Sequence, residues 1–138
     1  MAAELGLGER VSFLGYQAEP ARALAVAQLF VLSSRSEGFP RSILEAMRAG
    51  LPVVASDVGG VGEAVEHGVN GLLAPRGNPE SLADALGRLI ADASLRRRMG
   101  SAARMTFETR FRWESMVEST AAIYATVLYR SLQTRSTA

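Results

Sequence analysis

Three short apolar runs recur along the chain: Leu29-Phe30-Val31-Leu32, Pro52-Val53-Val54-Ala55 and Gly71-Leu72-Leu73-Ala74. Each is bounded by Ser, Gly, Asn or Pro, which predicts short buried strands. A fourth strand is predicted at Val11–Leu14, ended by Gly15. Between the runs the period changes. Residues 3–8 read as the tail of a helix closed by glycine, and Pro20–Gln28 as an Ala-rich helix with Ala21, Leu24 and Ala25 able to face inward. From Pro40, a residue suited to a first helical turn, Ile43, Leu44 and Met47 share one helix face while Arg41, Glu45 and Arg48 share the other. Gly50-Leu51-Pro52 closes that helix. Asn78-Pro79-Glu80 opens another, whose Leu82, Leu86, Leu89 and Ile90 form a core stripe. Glu114–Leu132 carries Val117, Ala121, Tyr124, Val127 and Leu128 along a further stripe. Strands alternating with helices predict an α/β fold with a parallel sheet.

Composition narrows the function classes. At 138 residues and 48% hydrophobic composition, the chain holds one domain with a core of its own. A net charge of +1 offers no footprint for nucleic acid or for an anionic membrane. Arg96-Arg97-Arg98 lacks interleaved aromatics and reads as a solvated helix face. There is no cysteine, which removes disulfides, thiol catalysis and Cys-based zinc sites. The single histidine, His67, removes any multi-histidine metal cluster and reads as a solvated turn residue. No apolar run approaches the ~20 residues that span a bilayer. The opening residues lack a basic-then-apolar secretory pattern, so a cytoplasmic protein is expected.

Chemistry concentrates in Ser33–Met47, where a strand passes through a Ser/Gly/Pro turn into a helix. Glu37 lies in the turn and Glu45 in the second turn of the helix. Between them the first helical N–H groups have no helical partner, which makes a ready anion site. Strand-loop-helix units at the carboxyl ends of parallel strands are where open α/β sheets bind ligands. The stretch therefore predicts a pocket for a molecule with phosphate and several hydroxyls. Residue spacing alone equally allows a structural reading. Glu45 would then pair with Arg41 and Arg48, each pair contributing only ~0.2–0.5 kcal/mol, and Glu37 would complement the helix dipole. Farther on, Gly59 and Gly60 allow close backbone approach beside the pocket. Gly60-x-Gly62 is not a dinucleotide fingerprint, because the third glycine position is Val65. Glu63 reads as a charge at the start of a short helix.

These residues resemble a family. Glu37 and Glu45, with seven residues between them in Ser-Glu-Gly-Phe-Pro…Leu-Glu-Ala, match the E-x7-E motif of retaining glycosyltransferases with the GT-B fold, family 4 (group 1). Val11-Ser12-Phe13-Leu14-Gly15 resembles that family's V-x-F-x-G strand, and Gly50–Ala55 its G-x-P-V-V-A strand. Gly59-Gly60-Val61-Gly62-Glu63 and Asn70-Gly71-Leu72-Leu73 follow in the family's order, and the likeness extends to about Leu128.

The resemblance implies a Rossmann-like open parallel sheet flanked by helices, part of a GT-B C-terminal domain over 1–138. It implies that two strands, carrying a diphosphate-binding Arg and Lys, and an acceptor-binding N-terminal domain lie outside this sequence. In a 3-2-1-4-5-6 sheet those two strands are central. The donor would be a UDP- or GDP-linked sugar, and the acceptor a carbohydrate or lipid. Neither a metal nor another cofactor is expected. Glu37 would bind hydroxyls of the transferred sugar near the reacting carbon, and Glu45 the ribose diol. Backbone N–H groups around Gly38, Phe39, Arg41 and Ser42 would face sugar and phosphates, with Gly15 near the base and Gly60 beside the donor. A nucleotide-diphosphate-binding module without chemistry of its own, or a GT-B sugar-nucleotide epimerase, are the alternatives.

Overall fold

The computed structural model describes residues 2–136. Three parallel strands, β1 (Phe30–Leu32), β2 (Val53–Asp57) and β3 (Gly71–Pro75), stand in the order β1-β2-β3. Phe30 is opposite Val53, and Val53 is opposite Gly71, so the three carboxyl ends open onto one edge. A 3-10 turn at Gly8–Arg10 precedes helices α1 (Pro20–Val26), α2 (Arg41–Arg48), α3 (Val61–Ala64), α4 (Pro79–Ala91), α5 (Ala93–Arg110) and α6 (Trp113–Ser136). The α/β architecture with a parallel, helix-flanked sheet is the one expected.

Strand β2 is covered on both faces. Val53 and Ala55 pack with Ile43, Ala46 and Met47 of α2, Val61 and Ala64 of α3, and Ala103 of α5. Val54 joins Leu72, Ala85 and Leu89 of α4, and Met99 of α5 on the other face. Helix α5 thus serves both layers, its first half against α4 and its second against α2. Each fully buried Val or Leu contributes about 1.5–3 kcal/mol relative to exposure.

Several of these expectations change. Val11–Leu14 is extended at Val11 (φ −119°, ψ 119°) but pairs with no strand, and Phe13 is 87% exposed. In the expected strand order this segment neighbours none of β1, β2 or β3. Without a ladder partner its polar backbone stays solvated. In α1, Leu24 packs against the core but Ala21 and Ala25 are exposed, because they face a cleft. Ile90 is exposed, since the buried stripe of α4 centres on Ala85 and Leu89, about 100° around the helix from it. The stripe of α6 is present, yet Val117, Tyr124, Val127 and Leu128 are exposed. No helix among the described residues is long and apolar enough to cross a membrane.

The termini of these helices are well specified. Gly50 (φ +76°) donates to Met47 O and Leu51 N–H to Ala46 O, a Schellman closure of α2 that places Leu51 in the core. The Asn78 side chain accepts from Ser81 N–H at 2.9 Å, with Pro79 in the first turn of α4. Arg96 is half-buried rather than solvated. Its guanidinium donates to the Leu89 and Ile90 carbonyls at the end of α4 and to Gln28.

Asp92 caps α5. One carboxylate oxygen accepts from Leu95 N–H, Ser94 N–H and Ser94 Oγ, each at 2.9 Å. The bond from Leu95 leads in holding this carboxyl below the usual carboxylate range. A folded-state pKa below the unfolded one contributes stability above the unfolded value, near ~3.9, and loses it as pH falls through the folded value. Asp92→Ala is expected to melt lower than the parent at pH 7, with the gap narrowing as pH drops below about 4. Melting curves at both pH values check this; a gap independent of pH rejects the ionic cap.

Candidate functional site

The loop from Ser33 to Pro40 leaves β1 at the carboxyl edge of the sheet and feeds α2. It is fixed by its neighbour across the sheet. Gly60 N–H donates to Gly38 O at 2.8 Å. A Cβ on Gly59 would stand 1.8 Å from Glu37 O, and one on Gly60 2.3 Å from Gly38 O. Two glycines are thus what lets the β2–α3 turn lie directly on the Glu37–Gly38 backbone, the close approach expected of them. Gly60 uses its own N–H in that contact.

Glu37 is half-buried, and its Oε1 accepts the Ser34 hydroxyl at 2.5 Å. Phe39 packs on Phe111, ring centroids 5.7 Å apart, while the Arg110 guanidinium covers the far ring at 5.1 Å from its centroid. Phe39 therefore anchors the loop with its ring and leaves its main chain at the sheet edge. Pro40 is buried and occupies the cap position of α2 rather than its first turn. It supplies no side-chain cap, and no acidic residue lies in the first turn. Ile43 N–H is taken by Pro40 O. The N–H groups of Arg41 and Ser42, ahead of it, make up the donor end of the helix.

Glu45 projects into a cleft of about 510 Å³ between α1 and α2. Pro20, Ala21, Leu24 and Ala25 make an apolar wall; Glu45, Arg48 and Ala49 make the wall opposite. Its volume is in the range of small-molecule sites, and an apolar wall facing a few polar groups is their usual make-up. The helical ion pairs of the structural reading are not formed. Among the described residues the salt bridges are Arg22–Glu19, Arg104–Glu108 and Arg112–Glu114, none involving Arg41, Glu45 or Arg48.

The fold thus brings Glu37, Gly38, Phe39 and Gly60 together at the carboxyl edge, with Arg41 and Ser42 beside them on α2. Glu45 lies farther along the same helix, about 6 Å along the axis from Arg41. Gly15 is not brought in; it sits at φ +61° in the exposed extended segment, next to an exposed Tyr16. His67 is exposed but engaged, its Nδ1 accepting Leu73 N–H at 3.0 Å on the outer side of β3. Among the described residues no group of three or more His, Cys, Asp or Glu could hold a metal ion.

Sequence reasoning missed two parts of the site. One is the Ser34 hydroxyl, for which the Ser-x-x-Glu spacing was the available signal. The other is the α1 wall, signalled by small residues on a helix face that a core would fill with larger ones.

Comparison with known proteins gives the family. Residues 1–106 match the family model described as glycosyl transferases group 1. The chain is 39% identical over 124 residues to N-acetyl-alpha-D-glucosaminyl L-malate synthase of Bacillus anthracis, covering 90% of this chain and 32% of that protein. It is 40% identical over 132 residues to D-inositol 3-phosphate glycosyltransferase of Nocardia farcinica, covering 94% and 29%. Among solved structures it is similar to Anabaena HepE in complex with UDP (36% identity, TM-score 0.87, 91% of this chain and 35% of that one) and with UDP-glucose (TM-score 0.85). Sucrose-phosphate synthase from Thermosynechococcus elongatus gives 32% identity and a TM-score of 0.86, covering 94% of this chain and 33% of that one. The chain spans about a third of the length of these relatives. With its helix-flanked parallel sheet, its matching family model and these neighbours, the chain belongs to the group 1 glycosyl transferases and has the Rossmann-like fold of a GT-B C-terminal domain.

Proposed function

We propose that this chain is the donor-binding part of a retaining glycosyltransferase that transfers a sugar from a UDP- or GDP-linked donor to a carbohydrate or lipid acceptor. The observation that carries the reading is Glu45, a carboxylate without an ion pair among the described residues, set in a cleft opposite an apolar helix face. A nucleoside offers that cleft two complementary surfaces, an apolar ring face and a ribose diol able to donate to a carboxylate. Glu45 takes the ribose. The donor end of α2, with the main chain of Gly38 and Phe39 and the N–H groups of Arg41 and Ser42, takes the diphosphate and neighbouring sugar atoms. Glu37 accepts from hydroxyls of the transferred sugar. Gly60 shapes the loop beneath it, and Gly15, which the fold leaves apart from these residues, is given no contact. UDP and UDP-glucose in the HepE crystals supply the probes.

In this reading the leaving diphosphate helps deprotonate the acceptor on the face from which the donor departs. The chain's residues orient the donor and stabilise developing charge. Glu37 is not a nucleophile, and no metal is assigned a step. The acceptor is bound outside these residues. Family membership disfavours the epimerase alternative.

The test is calorimetric titration of UDP, GDP and ADP against the parent and Glu45→Gln. A carboxylate that accepts from a diol contributes about 1.5–3 kcal/mol, so the amide should weaken the preferred nucleotide by about tenfold or more. Equal affinity in parent and variant would reject the ribose assignment.

A further inference from the structure

Glu37 carries a side chain held at one oxygen only. Its Oε1 accepts the Ser34 hydroxyl at 2.5 Å. Oε2 has no protein partner among the described residues, and no arginine forms an ion pair with the carboxylate, although Arg35 is two positions away. The main chain at Glu37 is fixed separately, by the backbone of Gly59 and Gly60 lying against Glu37 and Gly38. The choice of partner matters chemically. A guanidinium would engage both oxygens and neutralise the charge. A hydroxyl orients one oxygen and leaves the other free to accept.

We infer that Ser34 is a positioning residue for Glu37: by holding Oε1 it fixes the carboxylate plane and leaves Oε2 to accept from a hydroxyl of the donor's sugar. This rests on the donor-site reading given above. A bond between residues three apart could equally be a staple that only shapes the loop. The two roles separate in ligand binding, because a loop staple affects every ligand of the site. A positioning bond affects only ligands that reach Glu37.

The experiment titrates UDP and UDP-glucose against the protein as naturally expressed and its Ser34→Ala, Ser34→Thr and Glu37→Gln variants, with melting temperatures recorded for each. GDP and GDP-mannose replace them if the parent binds those more tightly. Ser34→Ala is expected to weaken UDP-glucose about tenfold with UDP unchanged within about twofold. Ser34→Thr, which retains a hydroxyl, should restore most of the loss. Ser34→Ala added to Glu37→Gln should weaken UDP-glucose no further than Glu37→Gln alone, as for two residues acting through one contact. Ser34→Ala that leaves UDP-glucose unaffected, or weakens both ligands alike with a lowered melting temperature, overturns the positioning role. Glu37→Gln without a sugar-selective loss, or a parent that binds neither nucleotide sugar, overturns the donor-site reading itself and this inference with it.

Discussion

Gly59→Ala is expected to lower stability by about 2–4 kcal/mol and to weaken nucleotide-sugar binding by more than tenfold. Two independent causes act at this position. Gly59 sits at φ +50°, where an L side chain costs about 1–2 kcal/mol. The added Cβ would also lie 1.8 Å from Glu37 O and 2.9 Å from Glu37 C, both backbone atoms that no rotamer change can move. One loop must therefore withdraw. Withdrawal breaks the Gly60–Gly38 hydrogen bond and releases the main chain that holds Glu37 and Gly38 at the sheet edge. Thermal melts and UDP-glucose titrations on the same variant check both halves. A variant with parental melting temperature and affinity would show that the two loops need not lie in contact. One that melts lower yet binds normally would separate the contact from the site.

The same contact marks a limit of what could be read along the chain. Gly59 and Gly60 were legible as a place for close backbone approach, since two adjacent glycines at a strand end have few other uses. The segment they approach was not, because it lies some twenty residues earlier and only the β1-β2 pairing brings it there. Local signals translated well. Gly50 ends α2, Asn78 and Pro79 begin α4, and the apolar runs became β1, β2 and β3. Signals that depend on neighbours did not. Val11–Leu14 has strand-forming residues, but a strand exists only with a partner. Arg96 looked like one of three solvated cations until the fold placed the last carbonyls of α4 beside it. Ala21 and Ala25 were read as core contacts, although small side chains on a helix face serve equally to leave room. At the site, the type and spacing of Glu37 and Glu45 were visible. Whether Glu45 paired with Arg41 and Arg48 was not, because helical spacing permits that pair without requiring it.

Helix α2 carries Glu45 and the donor end of the site, so whatever sets its position sets the cleft. Its far end is set by one glycine of α5. Gly100 is buried, and a Cβ there would meet Gly50 O at 2.2 Å and Gly50 C at 3.3 Å. The helix therefore rests directly on the carbonyl that follows the Schellman closure of α2. Substitution by alanine sets two effects against each other. Propensity favours alanine inside a helix by about 0.8–1.0 kcal/mol. Opposing it is a backbone oxygen that can yield only if α5 moves off α2, loosening Ala103 from its contacts with Ile43, Ala46 and Met47. Overpacking at a rigid contact costs about 1–3 kcal/mol or more, so the steric term is the larger. Gly100→Ala is expected to melt lower than the parent. Because α2 then loses the support of α5, it should also weaken the preferred nucleotide several-fold although Gly100 does not line the α1–α2 cleft. Melting and nucleotide titration decide the matter together. A stabilised variant would show that propensity wins and that α5 has room to move. A destabilised variant with parental affinity would show that the cleft holds its shape independently of the helix behind it.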